Sequence, residues 1–233
     1  KNFTLIIPIF NEDKNIDNLF IEIINTGVYN LVKEIIFVDD KSTDNSREVI
    51  QRLQKKYSKV ILISHKTNKG QSSCLFTGIN SSKSPDIITI DGDGQNCPND
   101  IINLINIYSS NYKYCLIGGI RKKRQDSLIK RFSSYFANYV RRNILNDECK
   151  DTGCSLKIFK KKIFLSFPFF DGIHRFLPAL FKAYGCKMIF IDVEHRPRIY
   201  GVSKYGIIDR LFAGIRDIIK VLKIIRMIKN NRD

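Results

Sequence analysis

Asp91-Gly92-Asp93-Gly94-Gln95 follows Asp86-Ile-Ile-Thr-Ile90, a short apolar run rich in β-branched residues. The run reads as a buried strand, and the acidic pentad sits where that strand ends. In an open α/β sheet this is the edge at which ligands bind. No Lys or Arg lies within several residues of the two carboxylates, so their repulsion has no local remedy. A divalent cation would relieve it, and oxygen donors suit Mg²⁺ or Mn²⁺. The glycines allow close approach of a ligand to the backbone. Taken alone, Asp-Gly-Asp is equally well a solvated turn.

Working outward, the same strand-then-polar pattern recurs. Phe3–Phe10 reads as a first strand, and Asn11-Glu12-Asp13 opens a helix carrying Ile16, Leu19, Phe20, Ile23 and Ile24 at helical spacing. Glu34–Val38 is a second strand ending in Asp39-Asp40. Ser42, Thr43 and Asp44 are N-cap candidates for the next helix. Val60–Ile63 is a third strand, and Asn68-Lys69-Gly70-Gln71 leads into a helix with Leu75, Phe76 and Ile79. Such alternation predicts a Rossmann-like α/β layer with a parallel sheet covered on both faces. There is no Gly-x-Gly-x-x-Gly after the first strand and no Walker A sequence, which disfavours nicotinamide enzymes and P-loop NTPases.

Beyond the acidic pentad the pattern predicts a helix through Ile101–Tyr108 and a strand over Tyr114–Gly119. Arg121, Lys122, Lys123, Arg124, Lys130 and Arg131 cluster beyond it, and a long helix runs to about Leu145. A strand over Thr152–Phe159, a helix over His174–Tyr184 and a strand over Lys187–Val193 follow. The tail from Ile207 places Ile208, Leu211, Phe212, Ile215, Ile218, Ile219, Leu222 and Ile225 on one helical face, with Asp209, Arg216, Lys220, Lys223 and Arg226 opposite. Its charges recur too often for a transmembrane helix. A basic, interfacial amphipathic helix is one reading; packing of its apolar face on the domain or on another subunit is the other.

The 233 residues carry a formal net charge of +16, which points to a polyanionic partner such as nucleic acid, an anionic membrane or a phosphorylated substrate. No nucleic-acid-binding module is recognisable, and the basic residues fall at strand ends and on the tail, so a nucleic-acid partner is disfavoured. The six cysteines include no Cys-x-x-Cys pair and the three histidines are scattered, which disfavours a zinc site and fits reduced thiols in the cytosol. No signal peptide and no run of membrane-spanning length is present.

In order, the motifs Ile7-Pro-Ile-Phe-Asn-Glu12, Phe37-Val-Asp-Asp40 with Ser42 and Asp44, Asn68-Lys-Gly70, Asp91-Gly-Asp-Gly-Gln95, Asp151-Thr-Gly-Cys-Ser-Leu156 and Arg196-Pro-Arg-Ile-Tyr-Gly-Val-Ser-Lys204 resemble the inverting family 2 glycosyltransferases, specifically the dolichyl-phosphate mannose synthase-like branch. The resemblance implies a GT-A fold, with a glycosyltransferase domain over 1–205 and an interfacial basic helix over 206–233. It implies transfer, with inversion, of a sugar from GDP-mannose or a UDP-sugar to a polyprenyl phosphate. The alternative is a family 2 enzyme acting on a hydroxyl of a cell-envelope glycan, with Asp151 as the base. Pro8, Asn11, Glu12, Asp39, Asp40, Lys69, Gly70, Asp91 and Gly92 would bind the nucleotide-sugar. Asp91, Asp93 and Gln95 would hold Mg²⁺ or Mn²⁺. Arg121, Arg131, Arg198, Ser203 and Lys204 would hold the acceptor phosphate, and Asp93, Arg121 and Arg131 would carry catalysis. A phosphate acceptor is already ionised near neutral pH and needs no base. The partners implied are a nucleotide-sugar, a polyprenyl phosphate and an anionic membrane surface, with a membrane subunit or a second copy also possible. The expected location is peripheral, on the cytoplasmic face of the membrane. Gly94 departs from the pattern, where a larger apolar residue is usual. The chain also stops after one amphipathic helix where many relatives continue into transmembrane helices, so it resembles the peripheral members.

Overall fold

A computed structural model describes residues 2–110, 113–122, 141, 143–198, 200 and 207–230, the side chains of this last helix from 216 onward. Arg131, Ser203, Lys204 and nearly all of the expected helix ending at Leu145 lie outside the described residues.

Seven strands form one sheet: β1 (Phe3–Ile9), β2 (Glu34–Asp39), β3 (Val60–Ser64), β4 (Asp86–Thr89), β5 (Tyr114–Arg121), β6 (Lys157–Lys160) and β7 (Lys187–Val193), in the order β3-β2-β1-β4-β6-β5-β7. Only β6 runs against its neighbours β4 and β5. The period of two along β1 decides how the sheet is covered. Leu5, Ile7 and Ile9 enter one apolar cluster with Ile16, Leu19 and Phe20 of α1 (Asp13–Asn25) and with Ile101 and Leu104 of α5 (Asn99–Ser110). Ile6 points to the other face, where Cys74, Leu75 and Ile79 of α4 (Gln71–Ser81) pack. Between these helices in the chain come α2 (Val28–Leu31) and α3 (Ser46–Lys56).

The chain winds from β1 to β3 in one direction, then returns to place β4 on the other side of β1. The carboxyl ends of β1, β2 and β4 therefore lie around a topological switch point, where a cleft opens between diverging loops.

Three expectations need correction. The strand expected over Thr152–Phe159 is confined to β6. Residues before it turn instead, because Asp151 pairs with Arg121 and Ser155 donates to Asn96 Oδ1. Arg121 lies within β5, not beyond it. The expected helix over His174–Tyr184 is divided into a 3₁₀ turn, Ile173–Arg175, and α7 (Leu177–Ala183), preceded by α6 (Lys161–Leu165). Pro178 disfavours helical backbone in the residue before it, yet is well accommodated in the first turn of α7.

The tail forms α8 (Ile207–Asn230). Val221 and Ile224 are buried, and Ile218, Leu222, Ile225 and Ile228 pack on the same cluster as α7. Asp217 is buried too and accepts from Arg175, 2.7 Å away. Arg216, Ile219, Lys223, Arg226 and Met227 are left facing outward, so Ile219 departs from the apolar face. Among the described residues, no helix is long and apolar enough to cross a membrane.

Candidate active site

A cleft of about 340 Å³ is lined by Pro8, Glu12, Asp40, Gly70, Gln71, Cys74, Asp91, Gly92, Asp93 and Arg198, among others. Its floor is built by three strand ends and by the turn that begins α4.

Beyond β1 the backbone takes a left-handed turn at Asn11 (φ 56°). The Asn11 side chain accepts from the Thr43 amide at 2.8 Å, and the amides of Asn11 and Glu12 donate to Ser42 and Ser46. Asp44 accepts from the amides of Asp13 and Ser46, which holds the start of α1 against the start of α3. Asn11 thus shapes the turn, while Glu12 reaches the cleft. Asp39 is buried and accepts from the Ser42 amide.

Asp40 is heavily engaged. It accepts from the amides of Lys69 (2.9 Å) and Gly70 (2.7 Å), and its Oδ1 lies 2.7 Å from His65 Nδ1. Burial works to raise its pKa, but these hydrogen bonds outweigh it and leave the carboxyl below its ordinary value. Gly70 has φ 83°, a conformation that favours glycine, and this aims two successive amides at one carboxylate.

Across the cleft, Asp91 accepts from Gln71 Nε2 at 2.8 Å, and its amide donates to Ser155. Burial, then the charge of Asp93, pushes the Asp91 carboxyl up to about 6; Ser155, Lys157 and Arg121 act in the opposite sense. Asp93 accepts from the Gln95 amide at 3.1 Å and from Arg198 at 2.6 Å. Arg198 also lies 3.5 Å from Glu12, and its pKa is raised: burial opposes the shift, and the hydrogen bond to Asp93 overcomes it. The carboxylate pair is therefore not without cations, as its immediate sequence suggested. Lys157, Arg121 and Arg198 are brought to it from distant segments. Gln95 turns its amide nitrogen to the carbonyl of Arg196, 3.1 Å away.

Gly92 marks the tightest approach, since a Cβ built there would lie 2.3 Å from Ile9 Cδ1 and 3.2 Å from the Pro8 carbonyl oxygen. The acidic turn is thus seated directly on β1. Arg121 grips Asp151 through Nε and Nη2, both at 2.7 Å, so both Asp151 oxygens are taken. Arg196 pairs with Glu22 at 2.8 Å and so ties the segment after β7 to α1. His174 is buried against Ser72 at 2.7 Å, and burial with the nearby Arg175 pushes its pKa down to about 3. The ring is therefore neutral near pH 7.

Sequence reasoning passed over Gln71, Ser155, Lys157 and His65. Gln71 follows a helix-starting glycine and was in principle visible. Lys157 carried no signal, because it looks like any strand residue until β6 places it opposite Thr89 of β4.

Residues 4–166 match the family described as Glycosyl transferase family 2. The chain belongs to this family. It is 33% identical over 96% of its length to a dodecaprenyl-phosphate galacturonate synthase of Rhizobium johnstonii, of which it covers 67%. It is 32% identical over 88% of its length to an undecaprenyl-phosphate 4-deoxy-4-formamido-L-arabinose transferase of Pectobacterium carotovorum, of which it covers 63%. The chain thus spans about two thirds of the length of these family 2 relatives. Glucosyl-3-phosphoglycerate synthase from Mycobacterium tuberculosis, solved with Mn²⁺, UDP and phosphoglyceric acid, superposes with a TM-score of 0.71 at 16% identity, over 95% of this chain and 77% of that one. The same enzyme with Mg²⁺ and UDP gives 0.69. These likenesses establish the GT-A glycosyltransferase fold expected from the motifs.

Proposed function

We propose that this glycosyltransferase moves a sugar from a nucleotide-sugar to a polyprenyl phosphate, with inversion at the anomeric carbon. The observation that carries the reading is the Asp91–Asp93 pair at the cleft, on a chain whose family 2 relatives are named as polyprenyl-phosphate sugar synthases and transferases. The donor is a UDP- or GDP-linked sugar.

The residues fit a hard divalent cation. Two carboxylates share the cleft, and burial, with the neighbouring charge of Asp93 second, raises Asp91 to about 6. Asp91 and Asp93 would hold the ion, which supplies charge neutralisation for the departing nucleoside diphosphate. Glu12 and the Asp40-ordered turn at Lys69-Gly70 would position the nucleoside and the phosphates. Arg198, already seated at Asp93, would shift to a phosphate group, for which its planar fork is suited. Arg121, together with Arg131, Ser203 and Lys204, would complete the cationic side of the acceptor site. An acceptor phosphate oxygen attacks the anomeric carbon; the new C–O bond forms as the bond to the diphosphate oxygen breaks. Charge repulsion between two anionic substrates is the main barrier that these cations lower.

A hydroxyl acceptor would require a base, and Asp151 was the candidate. Both of its oxygens accept from Arg121, which favours the phosphate acceptor. Membrane contact is assigned to the outer face of α8, where Arg216, Lys223 and Arg226 flank Ile219 and Met227. The test is transfer from labelled UDP- and GDP-sugars to undecaprenyl and dodecaprenyl phosphate with Mg²⁺, Mn²⁺ or EDTA. Metal-dependent lipid-linked sugar, lost in Asp93→Ala, is expected. Transfer only to hydroxyl acceptors would overturn the reading.

A further inference from the structure

A second set of metal-ligating side chains lies at the cleft, and glycosyl transfer makes no use of two of them. Asp40 follows β2, His65 follows β3, and Cys74 sits one turn into α4. Asp40 Oδ1 is 2.7 Å from His65 Nδ1, and Cys74 Sγ is 3.9 Å from the same nitrogen. All three donor atoms lie within 4.8 Å of one another, the one such cluster among the described residues.

The spacing is close to that of a tetrahedral ion. With Zn–N and Zn–O near 2.0–2.1 Å and Zn–S near 2.3 Å, the N and S ligands stand about 3.6 Å apart and N and O about 3.3 Å. Side-chain adjustments of about half an ångström would convert the observed separations of 3.9 Å and 2.7 Å into these.

The surroundings are already arranged for coordination. His65 Nε2 lies 3.0 Å from Thr77 Oγ1, so the ring can carry its proton there and turn Nδ1 to a metal. Asp40 is fixed by the amides of Lys69 and Gly70. Asp40 and Cys74 both line the cleft, the side from which an ion would enter. A sulfur, a nitrogen and one oxygen form a softer set than the all-oxygen pair at Asp91 and Asp93, and such sets select zinc over magnesium.

We propose that Asp40, His65 and Cys74 form a binding site for a soft divalent cation of the zinc class, separate from the hard-cation pair at Asp91 and Asp93. Coordination expels the proton of Cys74 Sγ to solvent and leaves the neutral His65 ring with its one proton on Nε2, with no redox change. The three ligands lie on separate elements, out of reach of the local cysteine and histidine spacing that disfavours a zinc site in the sequence.

The test is a Co²⁺ titration of the reduced chain in excess Mg²⁺, which occupies the all-oxygen pair. One equivalent should produce a near-ultraviolet thiolate-to-cobalt charge-transfer band that Zn²⁺ abolishes and that is absent from Cys74→Val and His65→Asn. Zn²⁺ should also slow alkylation of Cys74 at least tenfold, read by peptide mass spectrometry, with Cys115 and Cys186 as internal controls. The second readout needs no variant. Absence of the band, its persistence in Cys74→Val, or an unchanged alkylation rate at Cys74 would each overturn the assignment.

Discussion

Gly92→Ala should cripple the acidic turn through a single methyl group. The new Cβ would stand 2.3 Å from Ile9 Cδ1 and 3.2 Å from the Pro8 carbonyl oxygen, where ordinary contact begins at 3.4 Å. Ile9 is 1% exposed and packed between β1 and its helices, so its side chain cannot simply swing away. Relief must come from lifting the turn by about 1 Å, a displacement that can cost about 100-fold in rate when it misplaces reacting groups. Overpacking of this kind destabilises by about 1–3 kcal/mol. For a chain of this length each kcal/mol lowers the melting temperature by about 2–4 °C. Ile9→Val removes the clashing Cδ1 and alone costs only about 0.5–1.5 kcal/mol. The double variant should therefore be more active and more stable than Gly92→Ala, a coupling of opposite sign to simple additivity. Thermal melts, Mn²⁺ titration and sugar-transfer rates on the four proteins of the cycle measure it. A Gly92→Ala protein with wild-type rate and melting temperature, or a double variant worse than the sum of the singles, would refute the reasoning.

Three further outcomes follow from the same cleft. Asp91 has a folded pKa of about 6, above its ordinary value, so the folded chain takes up a proton that the unfolded chain takes up only near pH 4. Stability without metal should therefore rise as pH falls through 6, while Mn²⁺ affinity drops about tenfold per pH unit below it; equal affinity at pH 5 and 7 would contradict this. Asp93→Asn should weaken Mn²⁺ binding and reduce transfer by at least about 100-fold while the fold persists, as circular dichroism would report; removal of a group acting at the transition state has effects of this size. Asp151→Asn should cost about 3–5 kcal/mol in urea denaturation, because Arg121 is left buried without its charged partner. Loss of rate with unchanged stability would instead make Asp151 a base.

Local pattern carries a fold as far as contacts stay local. β1 to β4 were legible because each is an apolar, β-branched run followed within a few residues by a polar stretch, and a parallel layer follows from their alternation with helical periods. β6 was misread in length and its reversed direction went unforeseen, since pairing with both β4 and β5 is a tertiary choice. The tail's amphipathic period was plain, yet a period does not say what covers it: Val221 and Ile224 are buried on the domain.

Charge obeys the same limit more severely. Judged by its neighbours in sequence, the Asp91–Asp93 pair had no cation, and a metal was one remedy for its repulsion. In the fold, Arg121, Lys157 and Arg198 approach it from 30 to 105 residues away: Arg198 touches Asp93, and the other two act on Asp91 through their fields. The pull of the pair on a cation is thus a difference between two fields, its own and theirs. Arg198 is the adjustable member: it is half-buried at the wall of the cleft, whereas Arg121 is fixed by two hydrogen bonds to Asp151. Any ligand that adds positive charge at Asp93 weakens the hold on Arg198, and any phosphate that arrives gives Arg198 a new partner. In the proposed reaction the same ion pair would also supply the cation that an incoming phosphate needs, and it lies where neither the Asp91 motif nor the Arg198 motif, read alone, could reveal it.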